Sequence, residues 1–165
     1  MRQRTIKEAF QSKEGISPEA YHLYIIREGP LVLYVGQSRH NTTNRLYEHL
    51  GRGSRGRMTL SSIGQCILSN LPGSGSWIFE EYTLEDCREI TLIARKASSL
   101  YQAFPHIIDN PLDLSEVEEA LIKHHRPCFN SACNPNPTPL PEHLQGSLAY
   151  YENPYAAKLE DEFGI

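Results

Sequence analysis

Among the residues of this 165-residue chain whose types can move protons or hold ions, six stand out by their order and spacing: Tyr24, Tyr34, Arg45, His49, Glu118 and Asn130. Tyr24 lies in the run Tyr21 to Arg27, and Tyr34 opens Tyr34-Val35-Gly36 within Leu31 to Gln37. Arg45 and His49 are one helical turn apart and so share a face. Glu118 sits in a segment of helical character, and Asn130 closes Pro127-Cys128-Phe129-Asn130. A guanidinium offers a planar fork of donors to an oxyanion. One carboxylate is a poor cage alone but suits Mg²⁺, which keeps several waters. A phenol titrates near pH ~10, so it serves as a base only where a neighbouring group favours the phenolate. Each residue also has an ordinary structural reading. Tyrosines are favoured in strands, Arg45 and His49 would suit an exposed helix face, and Asn130 would suit a turn. Glu118 as a capping partner of Ser115 is less apt, because Asp113 with Glu116 starts the helix earlier.

Placing these groups requires a hairpin, a further strand and several helices. Thr5-Ile6-Lys7-Glu8 is a capping-box pattern, so a short helix is expected to about Ser12. Tyr21 to Arg27 and Leu31 to Gln37, separated by Glu28-Gly29-Pro30, read as a β-hairpin. Thr43 to Leu50 reads as a helix, as does Thr59 to Asn70, where Leu60, Ile63, Ile67 and Leu68 recur at helical spacing. Trp77 to Thr83 is a third strand. A long helix is predicted from Leu84 to Phe104 with Ile90, Ile93, Ala97, Leu100 and Phe104 on one face. Another runs from Asp113 to about His125, where Arg126-Pro127 stops it. The expected class is α/β (α+β): a small three-stranded antiparallel sheet flanked by helices. The expected organisation is a body over residues 1–133, a proline-rich spacer over 134–141 and an acidic tail over 142–165.

Composition bounds the function. With 39% hydrophobic and 22% charged residues, this is an ordinary globular chain, not a mainly disordered one. Its apolar runs are far shorter than the roughly 20 residues that span a bilayer, so no membrane association is expected. No secretory signal is visible at Met1 to Gly15, and the four cysteines form no CxxC pair, which together suggest a reduced, cytoplasmic protein. His124, His125, Cys128 and Cys133 lack a second ligand pair for zinc. The net charge of −4 resides in the tail, since Ser131 onward carries five acids against Lys158. The body is neutral but locally basic, with Arg39, Arg45, Arg52, Arg55 and Arg57 opposed within that stretch by Glu48 alone. Arg39, Arg52, Arg55 and Arg57 are therefore candidate nucleic-acid contacts. The tail could imitate phosphate and cover that basic loop.

Taken in order, the tyrosine of His22-Leu23-Tyr24, Tyr34-Val35-Gly36, Arg45, His49, Glu118 and Asn130 resemble the GIY-YIG nuclease family. That family includes the N-terminal cleavage domain of the excinuclease C protein and stand-alone endonucleases. The likeness covers residues 21–50 and 114–130 most closely. It departs at His22, where the family carries glycine. The resemblance implies a GIY-YIG-like fold and endonucleolytic hydrolysis of DNA with Mg²⁺ (or Mn²⁺) and no covalent intermediate. It implies Tyr24 nearest the attacking water as general base, Tyr34 orienting water or phosphate, and Arg45 on the phosphate. His49 would relay a proton or contact phosphate, Glu118 would be the metal ligand, and Asn130 would fix the site from another wall. The DNA preference comes from the resemblance, and the residues alone would equally permit RNA. A homodimer would suit a double-strand cutter. The alternative is a catalytically weak module of this kind that binds nucleic acid or a protein partner.

Overall fold

The computed structural model describes residues 1–12, 21–52, 60–146 and 162–163. Its centre is an antiparallel sheet of four strands, one more than expected: β1 (Arg2–Thr5), β2 (Leu23–Glu28), β3 (Leu31–Gln37) and β4 (Ile78–Tyr82), in spatial order β1-β4-β2-β3. β2 and β3 form the expected hairpin through Gly29, whose φ of +54° suits a residue without a Cβ. The added strand, β1, carries Arg2, Gln3 and Arg4 and so lacks the apolar alternation that marks a strand. It pairs with β4 at the edge of the sheet, where both arginines reach Glu81.

Helices cover both faces of this sheet. On one face α1 (Ile6–Gln11), α2 (Thr42–His49), α3 (Ser62–Ser69) and α7 (Glu142–Gln145) contribute to one core with Tyr24, Ile26, Leu33 and Phe79. On the other face α6 (Leu114–His125) packs Val117, Leu121 and Ile122 against Leu23, Ile25 and Val35. The alternation of β2 explains this division, because Leu23 and Ile25 point one way while Tyr24 and Ile26 point the other. Each fully buried apolar side chain contributes about 1.5–3 kcal/mol, so both faces stabilise the strands that carry the phenols.

The capping box at Thr5 forms as read, with Thr5 Oγ1 accepting from Glu8 N and Glu8 Oε2 accepting from Thr5 N. The long helix does not. It divides into α4 (Arg88–Ala97) and α5 (Ser99–Ala103), because Ser98 leaves the helical conformation and its Oγ caps Tyr101 N. Past Ile90, which packs against the second core, the expected apolar stripe is also turned outward: Ile93, Leu100 and Phe104 are 63%, 55% and 52% exposed. Thr91 and Arg95 face inward instead. The Arg95 guanidinium pairs with both oxygens of Glu116 and donates to the carbonyls of Ile107, Ile108, Asn110 and Pro111. That network ties the segment before α6 to α4, and hydrophobic spacing carries no signal of it.

Past α6, Cys128 N and Phe129 N donate to Val32 and Leu33 on the open edge of β3. The proline-rich stretch is tied to this turn through Asn134, which donates to Pro127 O and Asn130 O, and through Thr138 N to Arg126 O. Leu144 and Phe163 are buried in the first core, where Phe163 lies 5.2 Å from the Phe10 ring. Residues 147–161 and 164–165 of the acidic tail and residues 53–59 of the basic loop, with Arg55 and Arg57, lie outside the described residues. Among the described residues no helix is long and apolar enough to cross a membrane.

Candidate active site

Tyr24 pairs with Gly36 across the hairpin, and its ring lies over that residue. A Cβ at Gly36 would overlap the Tyr24 hydroxyl and the Tyr34 ring, so only glycine leaves room for both phenols here. The ring centroids of Tyr24 and Tyr34 are 6.1 Å apart. A β-bulge brings them to one face: the register passes from Ile26↔Tyr34 to Arg27↔Val32, leaving Leu33 as the extra residue. Gly36→Ala is expected to cost about 1–3 kcal/mol through overpacking, measured as a lower denaturation midpoint. An unchanged midpoint would mean the rings yield freely.

Helix α2 supplies the next two groups. Asn41 caps it by accepting from Thr43 N and Asn44 N, and Thr42 Oγ1 donates to Glu81 on β4. This fixes the helix against the sheet with Arg45 and His49 towards the phenols. His49 Nε2 stands 2.7 Å from the Tyr24 hydroxyl, and its Nδ1 stands 2.6 Å from Ser61 Oγ. The Tyr34 ring meets the imidazole edge-on at 5.0 Å. Burial, then the Arg45 charge, push His49 down to about 4, so the ring is neutral near pH 7. Arg45 pairs with Glu48, which raises its pKa.

Burial outweighs the cation at Tyr24. The residue is fully enclosed, and desolvation raises its hydroxyl well above the ordinary phenol value, with Tyr34 adding to the rise. The charge and hydrogen bond of Arg45 offset this only in part. The resting group is thus a neutral phenol, and Arg45 does not favour the phenolate enough to offset burial. Tyr34 is also raised, first by burial and then by the Glu118 charge.

Glu118 arrives on α6, whose Asp113 cap accepts from Ser115 N and Glu116 N. Its Oε2 accepts from Gln37 Nε2 at 2.8 Å, which joins α6 to the end of β3. Its Oε1 takes no hydrogen bond among the described residues. Burial raises the carboxyl, while Gln37 and Arg45 lower it. The late-helix carboxylate, the two phenols and the guanidinium therefore act on one another through space. Asn130 lies behind them: Nδ2 donates to Val35 O and Oδ1 accepts from Val35 N, closing the β3 edge between Tyr34 and Gly36. Of the basic residues, Arg39 is exposed, and Arg52 begins the loop with its N–H on Tyr47 O. His22, at the family's glycine position, bonds through its backbone to Tyr82 and Ser38 and through Nδ1 to Ser38 O.

Sequence reasoning passed over Gln37, Ser61, Gly64 and Glu81. Gln37 and Glu81 carry no local signal, because their partners lie 81 residues or 39 to 79 residues away. Ser61 was open to reading as the N-cap of α3, which it is, through Gly64 N. Among the described residues no three His, Cys, Asp or Glu side chains gather as a metal cluster. A cation here would thus rest on Glu118 with water and substrate oxygens, which fits a hard ion such as Mg²⁺.

A family model for the GIY-YIG catalytic domain matches residues 4–145. The chain belongs to the GIY-YIG family. Nuclease-type activity on nucleic acid goes with that family in general. The match begins within β1 and ends with α7, so it takes in the fourth strand and the segment beyond residue 133. No curated protein and no solved structure matches the chain.

Proposed function

We propose that this GIY-YIG chain is an endonuclease that hydrolyses DNA phosphodiester bonds with one Mg²⁺ or Mn²⁺ ion. The observation that carries this reading is the convergence of Tyr24, Tyr34, Arg45, His49 and Glu118 from two strands and two helices. Bound at Glu118, the cation would polarise a phosphoryl oxygen and offset developing charge.

The protein's own groups account for the proton. A neutral phenol becomes a base only by passing its proton on. Tyr24 is enclosed in the resting protein, so on this reading substrate binding opens its hydroxyl to the attacking water; its O then takes a proton from that water while its own proton moves to His49 Nε2, 2.7 Å away. The water oxygen bonds to phosphorus, the bond to the leaving oxygen breaks, and that oxygen is protonated by solvent. Neutral His49 is suited to receive the proton, because burial and Arg45 keep its ring uncharged beforehand. Arg45 pairs with Glu48 through Nη1, and its other donors would meet the non-bridging oxygens as negative charge grows. Tyr34 would orient the water from the adjacent strand. Asn130 supports both phenols by holding the Val35 backbone.

The test is nicking of supercoiled plasmid with Mg²⁺ or Mn²⁺ against an EDTA control. Tyr24→Phe should lower the rate by roughly 10²–10⁴-fold, the usual worth of a positioned acid–base group. Arg45→Ala should lower it by roughly 10²–10³-fold, and both variants should keep the far-ultraviolet circular dichroism of the native chain. DNA binding without turnover in either metal would replace this reading with that of a binding module. Parallel RNA substrates decide the nucleic acid.

A further inference from the structure

We infer that Ser61 is a positioning residue of the proton relay: its Oγ holds the Nδ1–H of His49 and so leaves Nε2 bare to accept from Tyr24. This rests on the nuclease reading above and names a residue which that reading does not include.

The argument begins at the end of α2. Helix α3 meets His49 twice. Gly64 presses on the His49 backbone, where any Cβ would overlap the carbonyl oxygen, and Ser61 Oγ reaches the ring at 2.6 Å. The short stretch from Ser61 to Gly64 thus sets the position of the imidazole. Ser61 Oγ already accepts from Gly64 N at 3.1 Å as the helix cap, which leaves it one lone pair and one hydrogen. Either could face Nδ1, so the choice is made at the other end of the ring. Tyr24 is fully buried, its oxygen takes a hydrogen bond from Arg45, and its own hydrogen is thereby left for Nε2, 2.7 Å away. Nε2 accepts that proton only when the ring hydrogen is on Nδ1, and the free lone pair of Ser61 is what meets it there.

The groups around His49 agree with a hydroxyl as orienter. β2 presents Tyr24, β3 presents the edge of Tyr34, α2 presents Arg45, and Ser61 stands at the start of α3. Arg45 is the charged group that acts on the ring, and it disfavours the imidazolium. The serine therefore fixes the tautomer without charging the ring. His49 stays neutral down to about pH 4, and any loss of rate through its protonation would come only as pH falls through that value.

The test uses the full chain labelled with ¹⁵N-histidine, together with plasmid nicking. The native His49 should carry its hydrogen on Nδ1. Ser61→Ala should move it towards Nε2 and lower kcat by roughly 10- to 100-fold with KM for DNA unchanged. Ser61→Thr keeps the hydroxyl and should restore both. Ser61→Asp keeps the helix cap and an acceptor for Nδ1–H but adds a charge. Its acid limb should move to higher pH, since a facing carboxylate raises the imidazole pKa. Native His49 protonated at Nε2 would overturn the proposal, as would Ser61→Ala at native kcat or Ser61→Asp with the rate and pH profile of Ser61→Ala. If Ser61→Ala does not fold, the capped Thr and Asp variants decide by the same criteria. A chain that cuts nothing refutes the nuclease reading, while the native tautomer still decides the role of Ser61.

Discussion

Replacing Glu118 by glutamine is expected to lower Mg²⁺-dependent nicking by about 10³-fold, since a catalytic ion is worth several kcal/mol and each tenfold is about 1.36 kcal/mol. Glutamine keeps the size of the side chain and can still meet Gln37 Nε2 through its carbonyl oxygen, so the link between α6 and β3 survives. What it removes is the charge. The loss should appear in kcat and in the metal concentration needed for half-maximal rate, while DNA affinity without metal stays within about twofold, because a single interaction with the ion has been deleted. The same variant should let Tyr34 ionise more readily, because Glu118 is among the groups that raise it. A spectrophotometric titration of the tyrosines checks this independently of activity. Cleavage by Glu118→Gln at more than about a tenth of the native rate would move the metal elsewhere.

Replacing Glu81 by alanine is expected to destabilise the fold by about 3–5 kcal/mol, the usual cost of removing one partner from a buried ion pair. Glu81 has no exposed surface. It accepts from Arg2 Nε and Nη2 at 2.7 and 2.8 Å, from Arg4 Nε and Nη2 at 3.1 and 2.9 Å, and from Thr42 Oγ1. Alanine would leave two guanidinium groups in a site shaped for an anion. The Thr42 hydroxyl at the first turn of α2 would lose its acceptor as well. At about 2–4 °C per kcal/mol for a chain of this size, the melting temperature should fall on the order of 10 °C. Glu81 lies opposite Tyr24 in the sheet register and holds the start of the helix that carries Arg45 and His49. Residual activity below the transition should therefore drop too. A loss under about 1 kcal/mol would show that Arg2 and Arg4 rehydrate without the carboxylate.

These two glutamates mark where local reading succeeds and where it fails. The place of Glu118 inside a helix was legible because the Asp113 cap fixes the phase of α6. Glu81 was not. It follows Glu80 in the strand Trp77 to Thr83, and alternation sends the two to opposite faces, so one of them should meet water. Neither does, because helices cover both faces of the sheet. Each is neutralised from far away, Glu80 by Arg27 and Glu81 by Arg2 and Arg4. The same blindness hid β1, whose charged residues are strand residues only because β4 supplies their counter-charge. It also misphased α4, where Arg95 turned inward to meet Glu116 and four carbonyls.

The amino-acid order alone determined the hairpin, the caps at Thr5 and Asp113, and the residue types that could move a proton or hold a cation. These depend on backbone preferences and side-chain chemistry that act within a few residues. Tertiary structure decided which of those groups are charged and what they touch. Burial holds Tyr24 as a neutral phenol despite the nearby Arg45 cation, and holds His49 as a neutral imidazole to well below its ordinary range. The bulge at Leu33, the missing Cβ at Gly36 and the approach of Ser61 to His49 set the distances over which a proton can pass. Desolvation and hydrogen-bond geometry depend on everything packed around an atom, and that arrangement exists only once the sheet and its two helical layers have closed.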